Sequence, residues 1–317
     1  MNAAHPDPRR YLGLVALLAG ALVALAAAIN FFVDPFDYFG RNTLGVYISA
    51  EREAKLTGLR QNPRAAVLIG TSKAAMIDVA QLAGPAPFFN ASLGGATPEE
   101  VVALVKQVSP TAPLVVVALD FFQFGDSVPY QPVPFAPPSW QRDFSYLFSL
   151  DGLGYSFTTI SRAERGLPPT LLPNGSFNPA LWFEHYDHAD PAALARLLDD
   201  REARWREFHF SPERVAELAD LRAALDARHE PYVVLINPLD AADFARVRRA
   251  GLGPAYTDWA ARVHRVFPDV IDLAVSPYSD PKNFFRLDPV HLYPQVGADM
   301  LNRLVLPRAA KETGGSS

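Results

Sequence analysis

Ala65-Ala-Val-Leu-Ile-Gly-Thr-Ser-Lys-Ala-Ala-Met-Ile77 passes from an apolar run through a glycine and two hydroxyl residues into helix-forming sequence. The Val-Leu-Ile run is too short for a helix of its own, so it reads as a buried strand. Gly70 then marks a sharp turn into a helix over about 73–82. Ser72 falls at the carboxyl end of that strand, where open α/β sheets place their ligands, with its hydroxyl beside the helix's free N–H groups. On this segment alone the position suits a plain N-cap better, since Ser and Thr fill that role at many strand-to-helix junctions.

Downstream of this stretch, short apolar runs alternate with helical sequence, the signature of a parallel sheet covered by helices. Pro87-Phe-Phe-Asn90 reads as a second strand, followed by Asn90-Ala-Ser-Leu-Gly-Gly-Ala-Thr-Pro-Glu-Glu100. There Thr97 is an N-cap, Pro98 takes the first helical position and Glu100 completes a capping box, opening a helix to about Ser109. Leu114–Leu119 is the clearest buried strand and ends at Asp120, followed by Phe121 and Phe122. Tyr232–Ile236 is the fourth strand, ending at Asn237, and Val270–Leu273 the fifth. Helices are expected from Ala192 to about Arg206, from an N-cap at Ser211 to His229, over about 240–250 and 254–267, and from the loop Asp288-Pro-Val-His291 to about Leu306. The fold class is α/β, a three-layer α/β/α arrangement on a mainly parallel five-stranded sheet.

Residues 125–190 break this rhythm. Nine of the chain's 29 prolines fall between Pro129 and Pro179, among many aromatics. They predict an irregular insertion that caps the sheet's carboxyl edge and shapes a pocket, although the aromatics serve equally as packing.

Upstream, Tyr11–Val33 carries no charge over 23 residues and is led in by Arg9-Arg10. It is long enough to span a bilayer as a helix, and the basic flank places residues 1–10 in the cytoplasm. A cleaved leader ending in the alanine cluster at 24–28 is the competing reading. The apolar run continues through Ile29-Asn30-Phe31-Phe32-Val33, longer than the usual leader core. Phe36, Tyr38 and Phe39 follow at the level of an interfacial aromatic belt. The expected layout is a cytoplasmic segment 1–10, an anchor 11–33 in the lipid bilayer, a linker and lead-in helix 34–60, an extracytoplasmic α/β domain 61–307 and a polar tail 308–317.

Composition narrows the chemistry. Net charge is −5 with both signs interspersed, which gives nucleic acid no phosphate-binding surface. The absence of cysteine excludes disulfides, thiolate catalysis and thiolate metal sites. Glu184-His-Tyr-Asp-His188 has metal-ligating residue types, but His185 and His188 lack further ligands at a recognisable spacing, so no metal is expected.

Asp288-Pro-Val-His291 is the second feature that bears on function. An acid three residues before a histidine on a Pro-containing turn can accept the imidazole N–H and fix its tautomer. The other ring nitrogen is then free to take a proton from a serine hydroxyl. Alternatively, Asp288 caps a helix starting at Pro289.

Taken together, the order of these features resembles the SGNH hydrolase superfamily: Ser72 after the first strand, a Gly-bearing turn after the second, polar residues after later strands, and D-x-x-H before the last helix. It is most similar to the membrane-anchored, exported SGNH-like proteins of the DltD and polysaccharide O-acetylation groups, over about Ala65–Leu306 and with the anchor typical of them. The resemblance implies a flavodoxin-like fold, Ser72 as nucleophile, Asp288 as orienting acid, His291 as general base and no cofactor. It also implies that Gly95, or Gly94, donates a backbone N–H to an oxyanion. The chain departs from the family in its first block, Gly70-Thr71-Ser72, and in its third, where Leu119-Asp120-Phe121-Phe122 replaces the asparagine-bearing G-x-N-D. Asn237 or Asn90 stands as the replacement donor. Asp120 is either a site-lining acid or a satisfied strand-end carboxylate. The implied function is a serine-dependent ester hydrolase or O-acyltransferase on an extracytoplasmic glycan or cell-envelope polymer. The alternative is a non-catalytic SGNH-like envelope protein that binds glycan or assists a membrane-bound O-acyltransferase partner.

Overall fold

The computed structural model describes residues 8–131, 139–180 and 191–309. Five parallel strands, β1 (Ala66–Ile69), β2 (Phe88–Asn90), β3 (Val115–Leu119), β4 (Tyr232–Ile236) and β5 (Ile271–Asp272), form one sheet in the order β2-β1-β3-β4-β5. Their continuous apolar runs, rather than an alternating pattern, follow from burial on both faces. The helices with described bounds are α1 (Pro8–Val33), α2 (Glu51–Gln61), α3 (Ser72–Ala75), α4 (Pro98–Gln107), α5 (Ser139–Leu147), α6 (Leu150–Glu164), α7 (Pro191–Glu207), α8 (Glu217–Asp226), α9 (Ala241–Arg249), α10 (Gly253–Val266) and α11 (Pro294–Met300). Val67, Ile69, Val117, Leu119 and Ile236 face one core with α2, α4, α8 and α10. Leu68, Val116, Ala118 and Leu235 face a second core with α3, α11 and the turn of π-helix at Leu301–Val305.

Several elements differ from their expected form. The helix expected over 73–82 is the single turn α3, followed by a separate 3₁₀ turn at Val79–Gln81 that Asp78 caps. The Asn90 amide accounts for the break, because it takes the carbonyls of Ala74 and Ile77. The helix expected from Ser211 begins with a 3₁₀ turn at Arg214–Ala216 before α8. Asp288–His291 is neither a loop nor a helix cap. It lies in β7 (Asp288–Leu292), antiparallel to β6 (Phe284–Phe285).

The chain divides into two compact units: residues 55–133 with 170–317, which hold the sheet, and residues 1–54 with 134–169. In the second unit the supposedly irregular insertion contains α5 and α6. The prolines crowd its flanks, and residues 139–167 contain none, so helix forms where the local composition permits it. Residues 8–25 of α1 are exposed, whereas its last turns pack against α5 and α6. Phe36 is buried against Tyr146, with Tyr38, Phe39 and Tyr155 around them. The aromatics expected as an interfacial belt are therefore this unit's core. Asp34, at φ 49°, accepts hydrogen bonds from the N–H groups of Tyr38 and Phe39 at 2.8 Å and from the Tyr146 hydroxyl at 2.8 Å. Burial, and then the Asp34 charge, push the Tyr146 phenol far above its ordinary range.

Candidate active site

Gly70 makes the turn after β1 possible: a Cβ there would lie 2.8 Å from the Ala118 carbonyl oxygen and 2.9 Å from the Ala74 methyl. Thr71, not Ser72, is the N-cap of α3, its hydroxyl oxygen accepting from Lys73 N–H. That leaves the half-buried Ser72 hydroxyl uncommitted to the helix, and it lies 2.9 Å from His291 Nε2. His291 Nδ1 lies 2.5 Å from Asp288 Oδ2.

The β6/β7 ladder explains how an acid and a histidine three apart on a strand come to face each other. In a regular strand such residues point to opposite faces. Here Phe285 pairs with Asp288 but the adjacent Phe284 pairs with Leu292, so Pro289, Val290 and His291 bulge out of the ladder. Pro289 has no N–H to give a ladder bond, which suits a bulge. Phe284 and Leu292 anchor this hairpin in the second core, and Asp288 and His291 are both buried.

Beside Ser72, Asp120 at the end of β3 is a buried hub. Its Oδ2 accepts from the Thr71 hydroxyl at 2.5 Å and from Asn237 Nδ2 at 3.0 Å, and its Oδ1 lies 2.8 Å from Lys73 Nζ. A cavity of about 230 Å³ opens over these groups, bounded by Ser72, Lys73, Gly95, Asp120, His291 and the side chains after β3. It lies outside the carboxyl ends of β1 and β3, where the strand order reverses, as ligand sites of open α/β sheets do. Among the described residues, its far wall is formed by Arg201, Arg204 and Trp205 of α7, and none from 125–190 lines it. Arg201 of α7 bonds Asp243 through both Nε (3.2 Å) and Nη2 (2.7 Å), and Trp205 Nε1 donates to Asp243 Oδ1 at 3.2 Å. Phe122 stands edge-on to Trp205, with ring centroids 5.8 Å apart.

Of the expected oxyanion donors, Gly95 lines the cavity at φ 62°, in a turn where the positive φ suits glycine, and Gly94 does not line it. Neither asparagine lines it. Asn90 is fully buried, its amide bonded to the carbonyls of Ala74 (2.9 Å), Ile77 (3.1 Å) and Ala75 (3.4 Å), and Asn237 donates to Asp120. These amides brace the site's frame, that of Asn90 against the α3 turn and that of Asn237 against Asp120. His185 and His188 lie outside the described residues.

Sequence reasoning passed over Lys73, Gln123, Arg201, Trp205 and Asp243. Lys73 carried a signal in its position beside the serine. Arg201 and Trp205 carried one in their spacing of four, which puts both on one helix face. Asp243 gave none, since its partners lie on another helix.

No protein-family model matches the chain, and no curated protein matches it.

Proposed function

We propose that this chain is a serine-dependent acyl-transfer enzyme of SGNH type, an esterase or O-acyltransferase acting on an extracytoplasmic glycan or cell-envelope polymer. The observation that carries the reading is the continuous Asp288–His291–Ser72 chain, with its 2.5 Å and 2.9 Å links, at the mouth of a cavity. The strand order β2-β1-β3-β4-β5, the flavodoxin-like order, supports the fold assignment. With the Asp288 carboxylate accepting the Nδ1 proton, Nε2 takes the Ser72 proton as Oγ attacks an ester carbonyl. The N–H groups of Gly95 and Ser72 stabilise the oxyanion, and His291 returns its proton to the departing alcohol. Water or a sugar hydroxyl then attacks the acyl-enzyme through the same base. The glycan follows from the family resemblance and from α1, a helix long and apolar enough to cross a membrane, with Arg9-Arg10 on the cytoplasmic side.

A second reading is a non-catalytic glycan-binding protein or an aid to a membrane-bound O-acyltransferase, favoured by the commitment of both asparagine amides elsewhere. Full-length protein in detergent, offered activated acetyl esters and a fluorophosphonate, separates the two. A covalent adduct on Ser72 that is absent in Ser72→Ala supports the enzyme. Folded protein that gives neither turnover nor adduct with several acyl donors rejects it.

A further inference from the structure

We infer that the α5–α6 hairpin is a second membrane contact, lying in the interface of the bilayer that α1 crosses; the inference rests on the anchor reading of α1 and is independent of any catalytic activity. Trp140, Phe144 and Phe148 recur at four-residue spacing along α5 and its exit, and Leu150 and Phe157, seven residues apart, lie on one face of α6. All five are between 41% and 80% exposed. Phe144 and Phe148 pack against each other, with ring centroids 4.5 Å apart and planes tilted by 38°, so that these two side chains form one surface. Soluble surfaces rarely expose a contiguous patch of this kind. Trp and Phe on one helix face suit the lipid headgroup boundary.

Position along α1 identifies the occupant. About 30 Å of hydrocarbon at about 1.5 Å per residue, counted from Tyr11 after the basic flank, ends at Asn30. Asn30 is where the hairpin docks: its Nδ2 donates to the carbonyls of Leu147 (3.0 Å), Ser149 (3.1 Å) and Tyr146 (3.3 Å), and its Oδ1 accepts from Ser156 Oγ at 3.0 Å. A buried amide thus satisfies the carbonyls of the turn between α5 and α6, as backbone at the edge of hydrocarbon requires. The hairpin is therefore attached at the level where the exposed part of α1 ends. Within the same unit, Phe36, Tyr38 and Phe39 turn inward, so the hairpin supplies the aromatic belt that they do not.

The chain's lack of cysteine makes the test direct. Full-length single-cysteine variants Phe144→Cys, Phe148→Cys and Phe157→Cys carry a nitroxide in phosphatidylcholine/phosphatidylglycerol nanodiscs, with Leu18→Cys on α1 and Ala261→Cys on α10 as references. The expected result is several-fold greater relaxation by oxygen than by a neutral nickel chelate at the three hairpin sites and Leu18, and the reverse at Ala261. Hairpin sites that match Ala261 while Leu18 reads lipid overturn the proposal alone. Water-like values at Leu18 as well overturn it together with the anchor. Protection from both reagents at the hairpin marks a protein partner on the stripe and also overturns it.

Discussion

The Lys73 ammonium stands 2.8 Å from the Asp120 carboxylate, joining the residue after Ser72 to the end of the neighbouring strand. Asp120 is buried and Lys73 nearly so. Removing one partner of such a pair leaves a buried charge, whereas removing both does not. Lys73→Met is expected to lower unfolding stability by about 3 kcal/mol, the low end for a buried pair because Thr71 and Asn237 still bond the carboxylate. Adding Asp120→Asn restores most of the loss. Urea midpoints of full-length protein check this, and a double variant no more stable than Lys73→Met rules out the pair as the cause.

The Asp288–His291 contact predicts a different outcome. Asp288→Asn keeps the side chain's shape but presents an amide to Nδ1, which no longer fixes the tautomer with Nε2 unprotonated. Ester turnover is expected to fall by about 10⁴-fold, the scale seen when a triad acid is made an amide. Fluorophosphonate labelling of Ser72 slows in parallel. The urea midpoint separates this from unfolding, and unchanged turnover removes Asp288 from the mechanism.

Asn90 gives a test of frame against chemistry. Asn90→Ala orphans carbonyls of the α3 turn in a fully buried place and is expected to lower stability by about 2–3 kcal/mol. Lys55 Nζ also donates to the Asn90 carbonyl at 2.8 Å, so the same residue ties the turn to α2. Lost turnover with unchanged stability would instead make Asn90 a donor to substrate.

These residues also show where the sequence was readable. Strands such as Val115–Leu119 announce themselves because burial on both faces leaves an apolar run of strand length; Ser72 follows the first strand as read, whereas His291, 2.9 Å from it, lies on a strand rather than in the expected loop. The Asn90 role was hidden because its acceptors are main-chain carbonyls, which carry no residue signature. The bulge at Pro289–His291 was hidden because a strand of five residues interrupted by a displaced segment shows no period of two. Helices α5 and α6 were masked by averaging: prolines on either side of a proline-free stretch made the whole segment look irregular.

Asp240 supplies the pH dependence. Burial raises its carboxyl above the ordinary range, against hydrogen bonds from the N–H groups of Asp243 and Ala242; the Asp243 charge adds to the rise and Arg246 opposes it. A raised folded value means stability present at low pH and lost as pH rises through that value. Asp240→Asn keeps the cap oxygen that accepts from Asp243 N–H at 2.9 Å but does not ionise. Its melting temperature is expected to match the wild type at the acid end, to exceed it by a margin that grows as pH rises from the ordinary carboxylate range through the raised Asp240 value, and to keep that margin above it. A constant difference across pH would mean that Asp240 does not titrate differently on folding.

Gly95→Ala tests the oxyanion assignment. A methyl there meets nothing within 4 Å, so the change acts through the backbone, which sits at φ 62°. Holding an alanine in that region costs about 1 kcal/mol, and the urea midpoint should fall accordingly. If the turn relaxes toward negative φ, the Gly95 N–H swings away from the cavity and one oxyanion contact is lost, worth about 10²-fold or more in turnover. The expected result is a small stability loss with a disproportionate fall in kcat on an activated ester and little change in KM. A stability loss with kcat retained would move the backbone donor from Gly95 to another part of the turn.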